Sequence, residues 1–223
     1  MSTGRLKSYS PSLTDYSNRE AHIFPRTVSR APLPQALRRS LVAPTCVSVD
    51  AVRSTAISPP EVPLTDGTIS LRYRLASDLD TISAASHDPL TQRWLTDPPM
   101  DAEARAASMA RVAEAFAAGR AAPLVVADSA TGQPIGLLNV QFRDDHVATI
   151  AYSVFPSHRG QGVAPRAVRL AVQWGFSDLA LSELLLEIDP GNIASLRVAE
   201  KCGFAPADRN GDKLVFALRK AAG

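Results

Sequence analysis

The sequence predicts a mixed α/β fold, one twisted sheet flanked by helices, on three observations. The stretch "ISLRYRL" alternates apolar and polar residues, the period of a half-buried strand. Alanine-, arginine- and glutamate-rich runs follow with their apolar residues at helical spacing. The segments then arrive in the order strand, helices, three strands, helix, strand, helix, strand, the pattern of a mixed sheet.

Each element has a local reason. Ile69, Leu71, Tyr73 and Leu75 form the inward face of the first strand, and Ser77 is placed to cap "DLDTISAAS" as a helix. "HDPLTQRWL" reads as a short second helix closed off by Pro98 and Pro99. Asp101 caps the long run "AEARAASMARVAEAFAAG", and Gly119 suits its C-terminal end. "PLVVAD" and "IGLLNVQF" are apolar, β-branched runs joined by the turn-rich "SATGQ", hence a hairpin. "DDH" interrupts the chain before the strand "VATIAYSVF". Val168, Ala171, Val172 and Trp174 support a helix to about Asp178. "ELLLEID" is a buried-strand candidate, "NIASLRVAEKC" a helix ended by Gly203, and "DKLVFAL" a final strand. No internal repeat is visible.

Composition bounds the rest. The chain has 223 residues, 45% apolar and 21% charged, the balance of a protein with a real core. A net charge of +2 gives no argument for nucleic acid, and no apolar run is long enough to span a bilayer. Cys46 and Cys202 stand far apart in unlike contexts, which leaves no disulfide framework and no zinc cluster; a reduced, cytoplasmic setting is expected. Residues 1–66 differ from the remainder. Their first sixty hold eight basic residues against three acidic ones, with dense proline and serine and no lasting apolar period. Such a segment buries too little apolar surface to offset its ordering entropy, so a largely disordered extension is expected, followed by one domain over 67–223. Its basic, serine-rich character has something of a transit peptide, against which Asp15, Glu20 and the prolines argue.

"HRGQGVAPRA", His158 to Ala167, runs from a strand through a turn into a helix. Gly160 and Gly162 permit positive φ and close approach of a ligand to the backbone. A helix start presents N–H groups and the positive end of its dipole, which attract anions, and Arg159 adds a full charge. Pro165 fits a first turn, where its missing N–H breaks no helical bond. Alone this turn is a weak signal: it matches neither the P-loop nor the G-x-G-x-x-G fingerprint.

A second stretch changes its weight. Arg159-Gly-Gln-Gly162-Val-Ala164 resembles the R/Q-x-x-G-x-G/A motif of the GNAT superfamily of acyl-CoA-dependent N-acetyltransferases. "NIASLRVAEKCGF" resembles that family's second marker, an Asn-led helix ending in Glu-Lys-x-Gly-Phe, and "TIAYSVFP" its strand before the pyrophosphate loop. The resemblance spans about Thr68 to Lys220 and is closest to the ribosomal-protein N-terminal acetyltransferases. It implies a mostly antiparallel sheet splayed between its fourth and fifth strands, and transfer of the acetyl group of acetyl-CoA to a primary amine, a peptide N-terminus or a small molecule, by direct attack and without metal. Main-chain N–H groups of Gly160, Gln161, Gly162, Val163 and Ala164 would hold the pyrophosphate, with Arg159 nearby. Ser153 and Val154 would pair with the pantetheine arm as an added strand does. Asn192 and Ser195 head the helix that meets the arm and the thioester; a plain N-cap is the other reading of Asn192.

For proton transfer the resemblance points to Glu187 as base; the alternative is a solvent-facing or arginine-paired carboxylate. Many members carry a tyrosine just before Glu-Lys-x-Gly-Phe as general acid, where this chain has Ala199, which leaves Ser195 or a water to protonate the thiolate. Tyr152 is read as strand core or as a residue of the acceptor channel, and His158 as solvent-facing or phosphate-adjacent. Asp144 and Asp145 are read as a solvated turn or a greeting for a cationic acceptor. "APADRNGDK" leaves little room for the long C-terminal hairpin of the ribosomal branch. A monomer or homodimer is expected, with no membrane partner. The competing function is a non-catalytic acyl-CoA-binding sensor, to which the missing tyrosine lends its support.

Overall fold

The computed structural model describes residues 56–95 and 97–221, so the expectations for the N-terminal extension up to residue 55, and Cys46 with it, lie outside the described residues. The chain runs β1 (Leu64–Thr65), β2 (Ile69–Arg72), α1 (Leu79–Ser86), α2 (Pro89–Trp94), α3 (Ala102–Ala117), β3 (Ala121–Asp128), β4 (Pro134–Phe142), β5 (Val147–Val154), α4 (Val163–Ser177), β6 (Glu183–Ile188), α5 (Ile193–Lys201), β7 (Ala205–Asn210) and β8 (Lys213–Arg219). The strands form one 8-stranded sheet in the order β1-β2-β3-β4-β5-β6-β8-β7. All neighbours are antiparallel except β5 and β6, which α4 connects as a crossover and which are therefore parallel.

Burial follows the sequence pattern. Leu124, Val125, Val126 and Ala127 of β3 are buried on both faces, as expected of a continuous apolar run in mid-sheet. In β6 the alternation is strict: Leu184, Leu186 and Ile188 are buried, while Glu183, Leu185 and Glu187 occupy the other face. The amphipathic α4 lays Ala167, Val168, Ala171 and Trp174 into the core and packs across β2 and β5. A smaller cluster, Ile82, Val125, Ala127 and Phe155, joins α1 to the opposite face. Asp101 caps α3 through the Ala104 N–H, whereas Ser77 lies in a 3-10 turn and Asp78 takes the cap position of α1.

Two strands carry no readable signal. β1 is two residues long, and together with Ile57, buried and donating its N–H to the Phe116 carbonyl at 3.0 Å, it puts packed chain upstream of residue 67. β7 falls in the stretch read as a loop. Every one of its residues is exposed, it holds Pro206 and a register shift, and Gly211 at φ 59° turns it into β8. An edge strand with no buried face has no apolar alternation to detect.

The β5–β6 ladder decides where a site can form. It pairs Val147, Ala148 and Thr149 with Glu183, Leu184 and Leu185, and beyond Thr149 no pair forms, although β5 continues to Val154 and β6 to Ile188. The sheet is splayed here, between the fourth and fifth of the strands read from the sequence; the short β1 raises the count by one.

Candidate active site

The end of β5 leads through the turn Pro156–His158 into the glycine segment and α4. Gly160 and Gly162 have φ of 74° and 78°, the left-handed region, and Gly162 is the N-cap of α4. A Cβ on either would meet no atom within 4 Å, so the backbone of the segment presents an open surface. The N–H groups that begin α4 have no carbonyl one turn behind them, and the helix dipole adds positive potential to the same place.

A cleft of about 350 Å³ extends from this turn along the splay. Its walls are Tyr152, Ser153 and Val154 of β5, then His158, Arg159, Gly160, Gly162, Val163, Ala164 and Pro165, and across from them Asn192, Ser195, Arg197 and Lys201. Leu90, Thr91, Trp94 and Leu95, from α2 and the residue after it, line it as well. Most of the site residues read from the sequence meet in this one cleft. Gln161 and Glu187 do not line it.

Main-chain direction refines the strand wall. The Phe155 N–H donates to the Ile135 carbonyl at 2.9 Å, and the register Gly136–Val154, Leu137–Ser153 is unbroken. The alternation of an antiparallel ladder then turns the Ser153 main-chain groups toward β4, and those of Tyr152 and Val154 toward the splay. The two strands are closely apposed here: a Cβ on Gly136 would lie 2.6 Å from the Ser153 carbonyl oxygen.

The far wall holds a hydrogen-bonded chain. Asn192 caps α5, its Oδ1 accepting the Ser195 N–H at 3.1 Å, so the cap is real and the residue lines the cleft as well. The Tyr152 hydroxyl donates to Ser195 Oγ at 3.1 Å, and burial pushes the phenol up to about 12, opposed in part by that bond. Tyr152 thus packs on the core and reaches the cleft, uniting the two readings of it. Ala199, in the place of the family's tyrosine, is fully buried. A phenol is supplied to Ser195 from the neighbouring strand, a contact 43 residues apart that no motif announces.

Glu187 lies elsewhere. Its Oε1 is 2.5 Å from Arg143 Nη2, and Arg143 Nε donates to Thr149 Oγ1 at 3.0 Å. Strand parity places Thr149 and Tyr152 on opposite faces of β5. Glu187 therefore stands at the splay on the face opposite the Tyr152 side chain, two positions past the last paired residue, Leu185. Its carboxylate is paired with Arg143 through one oxygen, Oε1.

Arg159 lines the cleft with its guanidinium engaged by protein: Nε donates to the Val154 carbonyl at 3.0 Å, and Nη2 to Asp88 Oδ2 at 2.6 Å and Thr91 Oγ1 at 2.8 Å. Gln161 bonds the Ser157 carbonyl. Asp144 accepts the N–H groups of His146 and Val147, a self-contained turn. Cys202 is half-buried with Sγ 3.5 Å from the Pro165 carbonyl, and burial raises its thiol pKa. Among the described residues no three His, Cys, Asp or Glu side chains are grouped to hold a metal, and no helix is long and apolar enough to cross a membrane.

Comparison with known proteins agrees with this fold. YkkB of Bacillus subtilis (strain 168) is 35% identical over 82 residues, 35% of this chain and 48% of that protein, so the chain spans about half of this relative's length. The ribosomal-protein-S5-alanine acetyltransferase from Vibrio fischeri superposes with a TM-score of 0.60 at 18% identity, over 71% of this chain and 97% of that one. Mycobacterium smegmatis RimJ, solved in complex with CoA-disulfide, gives 0.59 at 19% identity, over 74% and 87%. A family model described as acetyltransferase (GNAT) domain matches residues 69–205. With that match covering more than half of its length, the chain belongs to the GNAT acetyltransferase family.

Proposed function

We propose that this protein is an acetyl-CoA-dependent N-acetyltransferase that acetylates a primary amine. One observation carries the reading: a single cleft joins an anion-attracting helix start, Gly160 to Ala164, to the Tyr152–Ser195 pair beside an open splay in the sheet. The donor set suits CoA. Main-chain N–H groups around Gly160 and Gly162, backed by the α4 dipole, suit a pyrophosphate. The outward main-chain groups of Tyr152 suit an amide of a pantetheine arm, laid along β5 as an added strand, and leave the Val154 N–H for the thioester end.

In the proposed mechanism the amine enters from the Glu187 face and attacks the thioester carbonyl within the splay. The nitrogen–carbon bond forms, the carbon–sulfur bond breaks, and no bond to the enzyme is made. Glu187 takes the amine proton, directly or through water, while Arg143 fixes its orientation. The Val154 N–H donates to the carbonyl oxygen as negative charge develops there. Ser195 gives its proton to the departing thiolate, and Tyr152, bonded to Ser195 Oγ, orients it and holds a replacement proton.

Incubation with acetyl-CoA and an amine library, read by mass spectrometry, tests the assignment. The expected result is an added acetyl group on a subset of primary amines, slowed by about 10²-fold or more in S195A and E187Q with CoA binding intact. CoA binding without turnover on any amine sinks it and favours an acyl-CoA sensor.

A further inference from the structure

Arg159 is the one residue of the glycine segment whose side chain spans from the cleft to a different element. Its planar guanidinium meets three points: the Val154 carbonyl at the end of β5, the Asp88 carboxylate, and the Thr91 hydroxyl. Asp88 is the N-cap of α2, and the same Oδ2 that receives Arg159 also accepts the Thr91 N–H at 2.7 Å. The Arg159 hydrogen bond, then that of the Thr91 N–H, hold the Asp88 carboxyl down at about 2, so it is a carboxylate at neutral pH.

What the contact fastens is the roof. α2 has 6 residues, too few to be stable without tertiary support. It carries Leu90 and Trp94 over the cleft with Leu95 following, and Leu90 is 47% and Leu95 39% exposed. At the far end the Trp94 ring stands against Gly191, where an added Cβ would lie 3.6 Å from it. Arg159 and Gly191 thus pin the two ends of a short apolar helix across the opening. A guanidinium already facing a carboxylate has little attraction left for a phosphate. Arg197 and Lys201 also line the cleft and have no ion pair among the described residues, so they are the available counter-charges.

We infer that Arg159 is a positioning residue, latching α2 through Asp88 and Thr91 as the roof of the acyl-donor cleft, and not a phosphate ligand. This rests on the acetyltransferase reading for its kinetic consequence, but not for its structural one. With the roof in place, water is kept from the thioester end and the arm is held along β5.

Three variants of the full chain separate the possibilities: Arg159→Ala, Asp88→Asn, which keeps the helix cap but loses the charge pair, and the double variant. Hydrogen exchange is measured on residues 89–95, and kcat/KM with acetyl-CoA and with S-acetylpantetheine, which has no pyrophosphate. The latch predicts faster exchange in α2 for both single variants and no further change in the double. It also predicts a loss in kcat/KM on the order of tenfold, within the ~10²-fold that misplacement remote from the chemistry can cost, and equal for both donors. A loss seen with acetyl-CoA but absent with S-acetylpantetheine, or α2 exchange unchanged by Arg159→Ala, overturns it. If the wild type turns over no amine, the function is wrong, and the exchange data still decide the latch.

Discussion

Replacing Tyr152 by phenylalanine isolates the contact on which the proposed proton transfer depends. The substitution deletes one hydroxyl from a half-buried ring and leaves the packing of β5 on α4 and α5 in place. The lost bond to Ser195 Oγ spans 3.1 Å, and a neutral hydrogen bond of this kind contributes about 1 kcal/mol net. In a domain of this size 1 kcal/mol corresponds to a Tm lower by about 2–4 °C. If the same bond steadies Ser195 as it protonates the thiolate, kcat falls about fivefold, the rate equivalent of 1 kcal/mol. Ser195→Ala removes the donor itself and falls further, by about 10²-fold. Turnover is followed by release of the CoA thiol, and stability by urea unfolding. Phenylalanine at 152 that lowers stability but leaves kcat within about twofold of wild type refutes the catalytic part, since a structural bond predicts only the first effect. An alkaline limb gives an independent check. The buried phenol is raised from 10 to about 12, so the folded state holds its proton more tightly than the unfolded state. Its contribution to stability is complete below pH 10 and is lost as pH rises toward 12, and the variant lacks that component.

Three further predictions use other parts of the structure. Gly136→Ala places a methyl 2.6 Å from a backbone oxygen that cannot swing aside; stability falls by about 1–3 kcal/mol in urea unfolding, and acetyl-CoA affinity falls with it because Ser153 and Val154 shift. Glu187→Gln breaks a pair whose arginine is 40% exposed, so stability changes by less than about 1 kcal/mol. Its kcat falls by about 10²-fold or more; a stability loss without a rate loss assigns the carboxylate to Arg143 alone. A chain beginning at residue 67 lacks Ile57, only 7% exposed, and β1, and is less stable by about 2 kcal/mol or more in thermal unfolding than one beginning at residue 56.

What could be read from the sequence was what neighbouring residues decide among themselves. The alternation of Ile69 and Leu71, the stripe of Val168, Ala171 and Trp174, the caps at Asp101 and Asn192 and the glycine turn before α4 are each set within a few positions, by period, cap chemistry or φ. With a resemblance to bind them, those local signals named the strands that part and the helix start between them. β1 and β7 stayed silent because a two-residue strand and a fully exposed edge bury nothing that leaves a pattern. The side-chain partnerships were silent for a different reason. Arg159 meets Asp88 across 71 residues, Glu187 meets Arg143 across 44, and Tyr152 meets Ser195 across 43. Which charge finds which partner depends on how strands register and helices dock, and no local period encodes it. So the sequence alone determined the glycine turn at the start of α4 and named the candidate residues around it. Only tertiary packing decided that Arg159 bonds Asp88 and Thr91 at the start of α2, that Glu187 pairs with Arg143, and that the Tyr152 hydroxyl meets Ser195.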